Sequence, residues 1–435
     1  MVYVKSSACS ALSAVKFGVI RLERKMLKWG LKGLVAGFVA LLVLAAGGGD
    51  FRPSSFDLTV APHKYSLVQW EVTHFLDKWT YKLWDLMPWN SEPSRQERIA
   101  QAEEYFGLGT RLRELERQLQ SSEQVDADAM APGQIQGLRS KIKAINQRRE
   151  RLQAGVEETI EAEISAVLSQ EGFASRIGLI FPPVDTVFSR SPGALILSPR
   201  DRIYRQDTIL MKPGLSDETR NQIEEEILSD RNLAALVENT GGVAVFPSVV
   251  SGSQGLHRAV VTAAHEWLHH WFFFQPLGQH FWDSSQMTTL NETAATLAGQ
   301  AIGDRALTAI TGEPVVRSPE PQQARDPGGF DFDAVMRETR LMTEELLAQG
   351  KIEEAEAYME ERRQLMADNG RYIRKINQAF FAFHGSYATS AASISPIDDQ
   401  LRELQSRSES VEDFIKTVAG FGSYQEFLEH LEGRP

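Results

Sequence analysis

The chain has 435 residues, 42% apolar and 24% charged, and its 46 Lys and Arg against 58 Asp and Glu give a formal net charge of -12. Those proportions describe a folded protein of two or three units, and the lack of any basic stripe excludes nucleic acid as a partner. Cys9 is the only cysteine, which excludes an intrachain disulfide and a cysteine-rich zinc cage, so a bound metal must be held by histidine and carboxylate.

From Gly33 to Gly49 the sequence GLVAGFVALLVLAAGGG carries no charge, and Arg21, Arg24, Lys25, Lys28 and Lys32 crowd the side before it. That bias keeps the N-terminus cytoplasmic and sends the remainder across the membrane. The run of 17 residues is at the short limit for a span and also suits the apolar region of a secretory signal. The favoured expectation is an N-terminal extension and signal anchor over residues 1–49. The protein is then single-pass in the cell membrane with its large part extracytoplasmic. Cleavage near the small residues Ala45 to Gly47 would make it secreted instead. Residues 50–90 form a juxtamembrane segment in which Val68, Val72, Phe75, Trp79, Leu83 and Leu86 mark one helical face. Trp70, Trp79, Trp84 and Trp89 suit either the membrane interface or aromatic burial against the folded part.

Residues 91–172 read as an antiparallel coiled-coil hairpin of two long helices, 94–120 and 134–169. The first carries the stripe Leu108, Leu112, Leu115 and Leu119; the second carries Ile135, Leu138, Ile142, Ile145 and Leu152. A polar connection with a Pro-Gly pair joins them. The narrow stripes also suit oligomerisation through the hairpin. From 173 to 313 short β-rich runs appear (VDTVFSRS, ALILSP, DTILMKPG, GGVAVFPSVV), interrupted by an acidic helix over Asp217 to Leu228. Pro247 in the last run places it at a sheet edge, because proline cannot donate to a ladder. Residues 314–435 form a helical C-terminal part with a pair of helices, 333–348 and 351–367, joined at Gly350.

The segment AVVTAAHEWLHHWFFF is apolar and helix-like, and it contains His265, Glu266 and His269. Residues four apart share a helix face, so both imidazoles can reach one metal ion. Glu266 projects beside them, where it suits a general base acting on a metal-activated water. A catalytic zinc ion takes three protein ligands and leaves one position open, so a third ligand is required. Phe272 and Gln275 stand where the metzincin pattern needs glycine and histidine. Asn291-Glu292 opens a further helix-like segment 23 residues after His269, while His280 and Asp283 are rival ligands. His270 points away from the shared face.

The HExxH helix followed by a helix bearing Asn291-Glu292 resembles the gluzincins, the thermolysin-like and aminopeptidase-like zinc metallopeptidases. The resemblance covers about 40 residues. It implies one Zn2+ held by His265, His269 and Glu292, with Glu266 as catalytic base and a peptide or protein as substrate. It also implies a Tyr or His beyond the third ligand that stabilises the oxyanion, and the segment AFFAFHGSYATS offers His384 and Tyr387. Two departures stand out. Thr296 occupies the place where many thermolysin-like enzymes put an aspartate to orient a zinc histidine. The region GGVAVFPS lacks the acid with which the large aminopeptidases grip a substrate amine. The expected fold class is therefore α+β and predominantly helical, with a zincin-like catalytic part built on a small mixed sheet. The rival from another class is a membrane-anchored helical adaptor with a structural or non-catalytic metal site.

Overall fold

The structure is a computed structural model that describes residues 55–68, 93–124, 132–315 and 329–433, together with Trp70, Glu71, Thr73, Lys78 and Thr80. The uncharged run Gly33–Gly49 lies outside them, as does most of the Trp-rich stretch from Val68 to Leu86. Among the described residues no helix is long and apolar enough to cross a membrane. Residues 55–65 and 92–435 belong to one compact unit, and every element below lies in it. The unit is mostly helical with two small three-stranded sheets, an α+β arrangement.

Helix α1 (Ser55–Val60) leads through a 3-10 turn (Ala61–His63) towards the hairpin of α2 (Arg95–Gln124) and α3 (Pro132–Gln170). The two long helices run antiparallel: Arg95 binds Glu163 through two hydrogen bonds of 2.9 Å, Arg148 pairs with Glu104, and Arg149 covers the Tyr105 ring at 4.2 Å. The hairpin continues into the main core. Ala102, Tyr105 and Phe106 of α2 and Leu152, Val156, Ile160, Ile164 and Leu168 of α3 are buried with the helices that carry the HExxH and Asn-Glu motifs. At that end the apolar stripe has widened to a face that covers a core.

Strands β1 (Thr186–Ser189), β2 (Gly193–Pro199) and β3 (Asp207–Met211) precede α4 (Asp217–Arg231), which Ser216 caps by accepting the Thr219 N–H. Asn232 at φ 55° then turns the chain into β4 (Leu233–Asn239), a strand the sequence reading omits. β2 is the centre of an antiparallel sheet of order β3-β2-β4. The pleat sends Leu195 and Leu197 into a cluster with Phe56, Val60, Ile223 and Ile227, and sends Ala194 and Ile196 into another with Met336, Met359 and Phe381. Both faces are thus covered, which is why β2 and β4 read as apolar runs rather than as alternation.

The run GGVAVFPSVV is two strands, β5 (Gly242–Val243) and β6 (Ser248–Ser251). β6 is central, pairing in parallel with β1 and antiparallel with β5, so the edge expected around Pro247 is instead β5. Pro247 lies between the two strands, where its missing N–H costs no ladder bond. After α5 (Leu256–Phe272), the short α6 (Pro276–Gln279) and α7 (Ser285–Thr311), the chain forms the pair α8 (Phe332–Ala348) and α9 (Ile352–Asp368), with Gly350 at φ 74° between them. It ends in α10 (Gln378–His384), α11 (Ile397–Arg407), α12 (Val411–Ala419) and α13 (Tyr424–Leu431).

Candidate metal centre

Helix α5 buries Ala259, Val260, Ala263, Ala264, Trp267, Leu268 and Phe272, which leaves His265 and His269 together on a less enclosed face. Helix α7 packs against α5, and its first turn is fixed by Ser284, whose hydroxyl accepts the Met287 N–H at 3.1 Å. Close approach of the two helices depends on Gly303, where a Cβ would stand 2.7 Å from the Val261 Cα, and on Gly299. A Cβ at Gly299 would stand 2.9 Å from the His265 Cα and 3.0 Å from its backbone N.

This packing brings Glu292 to the two histidines. His265 Nε2 and His269 Nε2 are 3.0 Å apart, and Glu292 Oε2 stands 3.7 Å and 3.5 Å from them. Metal bonds of about 2.0–2.2 Å in tetrahedral array put ligand atoms roughly 3.3–3.6 Å apart, close to this triangle. Glu292 Oε2 is also buried with no hydrogen-bond partner of normal length, a costly state for a carboxylate oxygen that a cation between the three atoms would relieve. The donor set, two imidazoles and one carboxylate, suits zinc. Among the described residues, His265, His269 and Glu292 form the group able to hold an ion, and it has three members.

The electrostatics follow from burial and neighbours. Burial pushes the Glu292 carboxyl up, but the charge of His269 and polar contacts with both imidazoles reverse this and hold it well below the usual carboxylate range. Burial pushes His269 down, yet the Glu292 charge dominates and carries it up to about 9. Without a cation, then, the cluster retains a proton that a metal ion would displace. Glu266 is raised by burial, a rise that the two histidines oppose and Glu292 reinforces. Its carboxylate lies so close to Gly242 that a Cβ there would collide with it. His265 and Glu266 line a cleft of about 570 Å³ whose other walls include Gly242, Thr262, Thr296 and Tyr387.

Asn291 supplies the second contact to a proposed ligand, its Oδ1 lying 2.9 Å from His269 Nδ1. Asn291 Nδ2 in turn donates to Leu277 O at 3.3 Å. Thr296 donates its hydroxyl back to Glu292 O in its own helix at 2.8 Å. The side chain that holds the His269 ring is thus the residue before Glu292, the asparagine of the Asn291-Glu292 pair.

The two oxyanion candidates separate. Tyr387 reaches the cluster. The charge of Glu292, followed by burial and Glu266, pushes its phenol well above its ordinary value, so it remains a neutral donor. Its loop is tied to α7 because the Ala388 N–H donates to Thr293 Oγ1 at 3.0 Å. His384 does not reach the cluster. As the last residue of α10 it packs against Phe380, with its Nε2 3.9 Å from Glu238 Oε2, in a neighbouring cavity. The chain turns at Gly385 between the two residues, so three positions of separation place them on different walls. His280 and Asp283 pair with each other at 2.6 Å on the surface, away from the ligand group. Burial pushes His270 down to about 4, and its ring meets that of Phe246 at 5.9 Å. It thus ties α5 to the segment joining β5 and β6.

Comparison with known protein families, with curated proteins and with solved structures gives no match.

Proposed function

We propose that the chain is a zinc-dependent peptidase of gluzincin-like design, tethered to a membrane through Gly33–Gly49. The observation that carries this reading is the convergence of His265, His269 and Glu292 from two helices, with Glu266 buried beside them on the wall of an open cleft. Three protein ligands with access from a cleft suit a catalytic zinc better than a structural one, which four ligands would close. When bound, the ion supplies Lewis acidity towards a carbonyl and acidifies a water.

The chain's own groups supply the rest. Glu266, with its proton affinity raised by burial, accepts a proton from the attacking water and delivers it to the leaving nitrogen. Tyr387 remains an O–H donor at neutral pH and stabilises the oxygen on which charge develops. Asn291 holds the His269 ring in orientation. β5, the edge of its sheet beside Glu266, offers backbone groups on which an extended peptide can pair.

The test compares His265→Ala with Glu266→Gln. The first should lose both zinc and activity. The second should keep near-stoichiometric zinc while cleavage of a denatured peptide mixture falls by about two to four orders of magnitude, the usual worth of a general base. Parent-level cleavage by Glu266→Gln would overturn the reading and favour the adaptor.

A further inference from the structure

One exposed surface is not explained by the cleft. Ile177, Leu179 and Phe181 are 80%, 61% and 66% exposed, and Phe273 and Phe274, in the turn after α5, are 69% and 52% exposed. The two segments meet, since the Phe181 and Phe274 rings lie 5.5 Å apart and those of Phe273 and Phe274 5.2 Å apart. None of the five lines the cleft that holds His265 and Glu266.

The wedge is firmly braced. Phe173 sets its ring edge-on to Trp267 and Trp271 at 5.8 Å and 5.3 Å, and Trp267 Nε1 donates to Pro182 O at 2.7 Å. At the tip, the Ser175 N–H donates to Leu179 O, the Gly178 N–H to Ser175 O and the Leu179 N–H to Ser175 Oγ. Five large apolar side chains held out by a rigid frame mark an interaction surface. Three backbone donors satisfied inside the turn lower the cost of bringing it into apolar surroundings, and Arg176 at the tip provides a cation for phosphate headgroups.

We propose that this wedge seats in the boundary between headgroups and acyl chains of the bilayer that carries the tether, and so orients the catalytic unit on the membrane. The inference rests on reading Gly33–Gly49 as a membrane anchor. Only residues 50–54 separate that run from Ser55, so a bilayer holding the run also holds this unit at its surface.

The test uses the full chain with Cys9→Ser and Ile177→Cys, the new thiol carrying an environment-sensitive fluorophore, in vesicles of phosphatidylethanolamine and phosphatidylglycerol. A reference protein carries the label at Glu361→Cys on α9, a helix whose buried residues lie in a different core cluster from those of α5. The label at 177 should shift to the blue, be quenched by doxyl-labelled lipid and lose iodide quenching several-fold, while the reference does none of these. Adding Phe181→Ser and Phe274→Ser should abolish the shift. Flotation after a carbonate wash reports the tether separately. A label that stays aqueous on chains that float overturns the wedge and leaves the tether standing. Chains stripped by carbonate overturn the tether and the membrane seating together. A shift that appears without vesicles and grows with protein concentration would assign the surface to a second copy of the chain and overturn the proposal.

Discussion

Gly299→Ala tests whether the spacing of two helices sets metal affinity. The added Cβ would meet backbone atoms of His265 at 2.9–3.0 Å, whereas ordinary contact begins at 3.4 Å and extends to 4 Å. Because the obstacle is helix backbone rather than a flexible side chain, α5 and α7 must separate by about 0.5–1 Å. Overpacking of this kind costs about 1–3 kcal/mol, and replacing glycine within a helix returns up to about 1 kcal/mol. The metal-free protein should therefore lose no more than about 3 kcal/mol of stability. Zinc is less tolerant, because ligand distances are constrained to within about 0.2 Å, several times less than the displacement. Affinity measured by competition with a chromophoric chelator should drop at least about tenfold, equivalent to roughly 1.4 kcal/mol, while circular dichroism stays that of the parent. Parent affinity for zinc in Gly299→Ala, with the protein folded, would refute the claim that this close approach brings Glu292 to the histidines.

Asn291→Ala should weaken zinc binding by about 10–100-fold through loss of the bond to His269, whereas Thr296→Ala, Asp283→Ala and His280→Ala should bind about one equivalent as tightly as the parent; equal affinities across the set would remove Asn291 from the site. Tyr387→Phe should lower kcat by about 10²–10³-fold with zinc retained, and His384→Ala should stay near the parent rate; the reverse ranking would exchange their roles. Metal-free protein should be more stable at pH 6 than at pH 9. His269 is raised to about 9 from an ordinary value of about 6.5, so its contribution is complete below the ordinary value and disappears as pH rises through the raised one. Thermal melts in chelator across that window should show the decline and melts with zinc should not; a flat metal-free profile would contradict the coupling of His269 to Glu292.

The histidine pair and its neighbouring glutamate were legible in the sequence because helical periodicity is local: residues 265 and 269 share a face whatever the rest of the chain does. The hairpin and the pair α8 and α9 were legible for the same reason, each being a long segment with a sustained stripe and a breaker at its turn. Strand β4 was missed because a strand buried on both faces shows only a short apolar run, and β5 and β6 merged because the turn between them is itself apolar. Other features depend on contacts between residues far apart in the chain. Glu292 meets the histidines only because Gly299 and Gly303 let two helices touch. Tyr387 rather than His384 faces the cluster because the chain turns between them and Thr293 captures the next residue. Asn291 becomes the partner of His269 only across that same helix pair. Local pattern therefore determined which residues could carry the chemistry, and tertiary packing decided which of them stand together, since distances across a helix interface depend on side-chain volumes that no single segment contains.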